Sequence, residues 1–188
     1  MSKDYTLEPR TAVRYAKRAV EDQDWIREFL HRAAIGTLAT LHGDQPFLNM
    51  NLFVYDEAQH CIFMHTAQTG RTNANVRQAE KVCFGINEMG RLLPADEALE
   101  FSVEYSGVVV FGTARLLENN DQKTHALQIL LDKYCPHLHP GRDYRPITLE
   151  ELDRTAVYRI DIEEWSGKRK QVAPDFPGAF MYGHPPQS

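Results

Sequence analysis

The sequence predicts a mainly β protein: an antiparallel barrel of six to seven short strands with helices packed on its outside. Three observations carry that prediction. Short β-rich runs follow one another along the chain, at residues 35–41, 47–55, 60–65, 81–87, 101–117 and 155–162. Turn signals separate neighbours, with His42-Gly43-Asp44 after the first run and residues 56–59 after the second, so consecutive strands should pair antiparallel. Gly107 and Gly112 interrupt the longest run, as expected where a sheet bulges or bends to curl on itself.

Bulk properties frame one domain. The chain has 188 residues, enough for a single sizeable core and short for two. A composition of 43% hydrophobic and 25% charged residues is that of globular proteins. We divide it into an arm (1–20), a barrel domain (21–170) and a tail (171–188). A net charge of −5 argues against a nucleic-acid partner. Three separated cysteines, Cys61, Cys83 and Cys135, with no Cys-x-x-Cys, fit a reducing compartment. The charged start of the chain is unlike a signal peptide, and the run Val108-Val109-Val110-Phe111 is too short to span a bilayer. The expectation is a cytoplasmic protein with no membrane partner.

The elements follow in order. Residues 1–20 are polar and of mixed charge, with a helical turn expected after Pro9. In residues 22–34, Trp25, Ile26, Phe29, Leu30 and Ala33 recur at helical spacing; Asp22 reads as the N-cap and Gly36 lies just past the end. In the run 47–55, alternation puts Phe47, Asn49, Asn51, Phe53 and Tyr55 on one face and Leu48, Met50, Leu52 and Val54 on the other. The second face is wholly apolar and is expected in the core. The first sets two asparagines between aromatics, and reads as a wall for a polar aromatic ligand or as an edge-strand surface. Residues 72–79 read as a short helix, 89–99 as a loop, and 121–134 as a helix capped by Asp121 and stopped by Pro136. Thr148-x-x-Glu151 is a capping box for one more helical turn. The tail from Gln171, rich in proline and glycine and ending in His184-Pro185-Pro186, is expected to be mobile.

Chemistry concentrates in His65-Thr66-Ala67-Gln68-Thr69-Gly70-Arg71-Thr72. A strand, a glycine turn and a helix start follow one another there. The first N–H groups of a helix lack internal partners, and its dipole favours negative charge. Arg71 adds a planar fork for two phosphate oxygens, and Thr66, Thr69 and Thr72 add hydroxyls. The string reads as a cradle for one phosphomonoester, or else as a plain turn with a solvated arginine. Neither Gly-x-Gly-x-x-Gly nor the Walker pattern occurs. A phosphate cradle beside a polar aromatic wall suggests a nucleotide with a large ring, such as FMN. His65 stands at the strand end either as a donor to that ligand or as a satisfied histidine. Cys135-Pro136-His137-Leu138-His139 has the residue types of a metal site without a second ligand pair, so no metal is expected. There is no Gly-x-Ser-x-Gly elbow, and no catalytic acid or base is assigned. Glu163-Glu164-Trp165-Ser166-Gly167-Lys168-Arg169-Lys170 follows the last predicted strand. It gathers an indole and three cations, as a solvated basic turn or as part of a phosphate or cofactor site on a neighbouring subunit.

Several of these pieces together resemble the FMN-binding split-barrel flavoproteins related to pyridoxamine 5′-phosphate oxidase, and more closely their nitroimidazole-resistance branch. They are Ile35-Gly36-Thr37-Leu38-Ala39-Thr40, Pro46-Phe47 with Phe53-x-Tyr55, Phe63-Met64-His65-Thr66-Ala67 with Gly70-Arg71, Val82-Cys83-Phe84, Glu104-Tyr105-Ser106 and Trp165-Ser166-Gly167-Lys168. The resemblance implies a split barrel and a homodimer with FMN at the subunit interface. It implies that the backbone of Asn49, Met50, Asn51 and Leu52 meets the flavin ring. His65, Thr66, Thr69, Gly70, Arg71 and Thr72 match the phosphate segment, and Ser106, Trp165 and Lys168 match positions presented by the partner subunit. It further implies an oxidoreductase that reduces a small electrophile such as a nitro-aromatic, with NAD(P)H as an available electron donor. The alternative is a flavin- or haem-binding protein without that turnover, with His137, His139 and His184 at hand for haem. The oxidases carry Arg-x-His after the equivalent tryptophan; here Lys168-Arg169-Lys170-Gln171-Val172 stands instead, which argues against vitamin B6 oxidation.

Overall fold

The computed structural model describes residues 4–184; the Pro185-Pro186 end of the tail lies outside the described residues. The arm contributes two 3-10 turns and a short strand, β1 (Ala19–Val20). Helix α1 (Gln23–Arg32) starts where expected, because the Asp22 carboxylate accepts from the N–H groups of Asp24 (3.0 Å) and Trp25 (3.2 Å). Its apolar stripe, Ile26, Phe29 and Leu30, is almost fully buried against the barrel, at roughly 1.5–3 kcal/mol for each side chain. Strands β2 (Gly36–His42) and β3 (Gln45–Asn51) form a hairpin around Gly43, whose φ of 61° suits glycine. Then come β4 (Val54–Asp56), β5 (Cys61–Ala67), α2 (Arg71–Gln78), β6 (Lys81–Leu93) and β7 (Ser102–Leu116). Helix α3 (Asn120–Tyr134), the capping-box helix α4 (Leu149–Arg154) and β8 (Thr155–Lys170) complete the chain.

Every strand pair is antiparallel, in the order β3-β2-β6-β7-β8-β5-β4, with β1 added along β8. Across the opening, β3 at one end of that path is tied to β5 by a side chain rather than a ladder: Asn51 Nδ2 donates to the His65 carbonyl at 2.6 Å. The result is a split barrel. Its interior holds Leu38, Phe53, Phe84, Val108, Val110, Tyr158 and Ile160, and a second cluster lies under α3. The expected bend at Gly112 is real. The β7–β8 register shifts between Phe111 and Gly112, and a Cβ at Gly112 would stand 2.1 Å from the Asp161 carbonyl oxygen.

Five expectations need correction. The apolar face of the run 47–55 is not in the core: Leu48 and Met50 are 64% and 75% exposed, whereas Phe53 and Tyr55 are buried. Of that face only Val54 is buried: the run breaks after Asn51 into β3 and β4, Phe53, Val54 and Tyr55 all turn into the protein, and Leu48 and Met50 lie on the open side of edge strand β3. Residues 89–93 are strand, not loop, since a register shift between Met89 and Leu92 lets β6 stay paired with β7. The cap of α3 is Asn119, which accepts from Gln122 N–H at 3.0 Å, rather than Asp121. Trp165 through Lys170 do not follow the last strand; they are its second half, paired with β7 and, at Gly167 and Lys168, with β1. The start of the tail is tied down. Arg91 donates to the carbonyls of Pro174 (2.7 Å) and Ala173 (3.0 Å), and Phe180 bridges to Leu92.

Candidate functional site

The cradle forms where three elements meet. β5 delivers His65 and Thr66, the chain turns through exposed Thr69 and Gly70, and α2 begins at Arg71. Gly70 has φ 154° and open space where a Cβ would stand, so its backbone is one that L side chains rarely adopt. It brings no capping side chain, and the first backbone bond of α2 runs from Ala74 N–H to the Gly70 carbonyl at 3.1 Å. The N–H groups of Arg71, Thr72 and Asn73 therefore remain open toward a ligand, at the positive end of the helix dipole.

Two asparagines fix this helix start to the edge strand. Asn49 Nδ2 donates to Thr72 Oγ1 at 3.1 Å, and Asn51 pins the end of β5 as described. Thr72 is buried and serves the frame, with one lone pair engaged by Asn49. The Thr66 hydroxyl is also engaged, lying 2.9 Å from both the Ala67 carbonyl and the Tyr158 hydroxyl. Arg71 is exposed, and its guanidinium meets only the His42 ring, 3.2 Å away. Its fork has no carboxylate among the described residues. The outer edge of β3 pairs with no other strand, and the Met50 and Leu52 side chains are exposed.

Below the cradle the polar groups are incompletely satisfied. His65 Nδ1, Asn73 Nδ2 and Asn75 Oδ1 are buried without a hydrogen-bond partner, a costly state that calls for a ligand or a bound water. Burial pushes the His65 imidazole below its ordinary range, so this histidine is neutral at physiological pH and offers a neutral donor or acceptor. Sequence reading missed His42, Asn73, Asn75 and Tyr158. The only available signal for two of them was the alternating Asn73-x-Asn75 pair on a short helix. Asn75 is fully buried and donates to Thr40 Oγ1 at 2.9 Å, which holds α2 against β2.

The remaining expected residues lie elsewhere in the chain. Ser106 and Lys168 wall a groove of about 800 Å³ on the outer face of β2, β6, β7 and β8, together with Thr37, Gly85 and Val109. Trp165 points to the opposite face of β8. Its indole N–H donates to Gln23 Oε1 at 2.6 Å, and its ring packs edge-on against His60 at 4.8 Å. His137, His139 and His184 are all exposed, and among the described residues no group of histidine, cysteine and carboxylate side chains converges as a metal site.

The sequence profile of the family described as pyridoxamine 5′-phosphate oxidase matches residues 22–169. The chain belongs to that family. No curated protein sequence matches it. Among solved structures, the flavocytochrome Anf3 of Azotobacter vinelandii superposes with a TM-score of 0.77 at 23% identity, over 95% of this chain and 87% of that one. The FAD- and haem-binding protein of Mycobacterium smegmatis gives 0.74 at 20% identity, over 84% and 76%. A candidate 5-nitroimidazole antibiotic resistance protein of Bacteroides thetaiotaomicron gives 0.67 at 16%, over 80% and 86%. These likenesses establish the split-barrel fold of the oxidase family. No helix among the described residues is long and apolar enough to cross a membrane.

Proposed function

We propose that this protein is an FMN-dependent oxidoreductase acting as a homodimer, with the flavin phosphate held by the α2 cradle. The uncapped start of α2 carries this reading: the N–H groups of its first turn, the Arg71 guanidinium, which meets the His42 ring and no carboxylate among the described residues, and the exposed Thr69 hydroxyl follow one another at a single turn of the chain. The residues fit the group, because His65 Nδ1 and Asn73 Nδ2 beneath the cradle are buried and unpartnered. Flavin, when bound, supplies hydride and single-electron chemistry. The chain's part is to hold the phosphate, align the ring on the β3 edge and shield it from water. No side chain of the cradle is placed to act as an acid or base with a shifted proton, apart from the neutral His65. A small electrophile such as a nitro-aromatic is the substrate class this open, acid-free site suits.

The dimer is supported by exposed apolar side chains on the outer sheet face. Met50, Thr37, Gly85, Val109 and Ser166 stand opposite one another across β3, β2, β6, β7 and β8. Met50 and Val109 in that row are exposed, as is Leu48 beside it. A second copy seated there would bring Ser106 and Lys168 of one protomer toward the flavin edge of the other.

The test is direct. The purified protein should show flavin absorbance, or gain it on adding FMN, and oxidise NAD(P)H faster with a nitro-aromatic acceptor than without. A protein that takes up no flavin refutes the proposal. Haem is the second reading, because two structures of the same fold are a flavocytochrome and an FAD- and haem-binding protein. A Soret band in place of a flavin spectrum would favour it.

A further inference from the structure

The outer face of the sheet carries a recess that shares no residue with the cradle. Strand register puts three rows of residues on that face: Thr37, Gly85, Val109 and Ser166; then Asn87, Gly107 and Lys168; then Met89 and Tyr105. Two of these places hold glycine, one on β6 and one on the neighbouring β7. A Cβ at Gly85 would have nothing within 4 Å, and one at Gly107 would come no nearer than 3.5 Å to any neighbour. The sheet is therefore bare over two adjacent strands, and both glycines line the groove of about 800 Å³.

The arm supplies a wall. Ala12, Val13 and Arg14 line the groove. Arg10 fastens the arm beside it, donating to Glu164 at 2.8 Å and Glu163 at 3.0 Å, with its guanidinium 5.1 Å from the Phe111 ring centroid. Phe111 stands two residues along β7 from Val109 and so shares its face. The charges around the groove do not balance. Its one carboxylate, Glu88, is engaged by Arg32 at 2.7 Å. Lys168, opposite Gly107, is exposed, and its Nζ lies 5.1 Å from the Tyr105 ring centroid. Neither Lys168 nor Arg14 has a carboxylate partner among the described residues. β7 is laddered on both sides, so this floor lacks the open N–H groups that the start of α2 offers to a phosphate.

We infer that this groove binds a planar aromatic carboxylate, with its ring on the Gly85–Gly107 floor, its carboxylate on Lys168, and Arg14 as a second cation on the wall. A flat ring needs a surface free of side chains, which the two glycines leave. An anion needs an unmatched cation, which Lys168 supplies. The Thr37 and Ser166 residues of the same face add hydroxyls for polar ring substituents. The place of this site in catalysis rests on the reductase reading above: the groove lies on the face proposed to meet the second copy, and there it would hold the electrophile. The substrate class then narrows from nitro-aromatics in general to those that carry a carboxylate. Binding of the carboxylate itself does not depend on that reading.

The experiment uses the full chain, with and without FMN, and two probes of one shape, 4-nitrobenzoate and 4-nitrobenzyl alcohol. Calorimetry gives their affinities, and urea denaturation shows that each variant folds. The wild type should bind the acid roughly tenfold or more tighter than the alcohol, by a margin that narrows as salt is added. Lys168→Gln should remove most of that margin, and Lys168→Gln with Arg14→Gln all of it. Gly85→Val sets a side chain on the floor and should weaken both probes alike. Equal affinity for acid and alcohol in the wild type overturns the inference. So does a margin that survives the double variant, or a Gly85→Val protein that binds both probes as the wild type does. If acid binding follows the expected pattern while the protein takes up no flavin, or reduces neither probe when loaded with it, the reductase reading is refuted and the carboxylate site stands.

Discussion

Replacing Arg71 by alanine separates the ligand role of the cradle from its structural role. The side chain is exposed and touches only the His42 ring, at 3.2 Å. It forms no ion pair among the described residues and covers no part of the core. Its loss should therefore change folding stability by no more than about 0.5 kcal/mol. Ligand affinity is a different matter. A bidentate, charge-assisted contact to phosphate is worth about 1.5–3 kcal/mol. Arg71→Ala should thus weaken FMN binding roughly ten- to 150-fold. Arg71→Lys keeps the charge and loses the fork, so it should fall between wild type and alanine. Riboflavin, which lacks the phosphate, should bind wild type and variant alike. Quenching of flavin fluorescence gives the affinities, and urea denaturation gives the stability. Equal FMN affinity in a folded Arg71→Ala protein would refute the cradle.

Further outcomes follow from other parts of the molecule. Gly112→Ala should destabilise by about 2 kcal/mol or more, because its Cβ would meet the Asp161 carbonyl at 2.1 Å; Gly85→Ala, with open space, should be near neutral in the same denaturation assay. Arg91 hydrogen-bonding, aided by Val172 N–H, holds the Glu104 carboxyl down to about 2. The ionised form is thus favoured by the fold, and the tail clamp should be intact above about pH 4.5, weaken as pH falls and be lost near pH 2. Hydrogen exchange of residues 172–180 against pH reads this, and release at neutral pH would contradict it. Burial pushes the Lys133 ammonium, 3.8 Å from the Phe53 ring centroid, down to about 8. The fold disfavours its charge, so Lys133→Met should stabilise at pH 7 by on the order of 1 kcal/mol. That gain should shrink as pH rises from about 8 toward 10.5, where the wild-type lysine is neutral in the fold. Leu48→Asp with Met50→Asp should convert the proposed dimer to monomer by sedimentation, leaving a folded barrel; an unchanged mass would refute the interface.

Local grammar made much of this protein legible. The Asp22 cap and the helical spacing of Ile26, Phe29 and Leu30 define α1 without any long-range information, and Thr148 with Glu151 does the same for α4. The glycine turn before Arg71 marked the start of α2, because a strand end, a glycine and a helix start are written in neighbouring residues. The order of β-rich runs sufficed for an antiparallel barrel. Alternation sorted Phe47 to Leu52 into two faces, yet it could not say which face is inside, nor that the run breaks before β4 so that Phe53, Val54 and Tyr55 are all buried. Asn49 and Asn51 turn inward because they have partners at Thr72 and His65, and those partners come from β5 and α2. Leu48 and Met50 turn outward on an edge strand, a position that depends on the order of all the strands. Burial is a property of packing between distant segments, whereas period is a property of one. The same reason governs the basic residues. Lys168, Arg169 and Lys170 are a plain charge run in the sequence. In the fold they part company: Lys168 lines the groove on the outer sheet face, whereas Arg169 and Lys170 come beside Lys17 and Arg18 of the arm only because β1 pairs with β8.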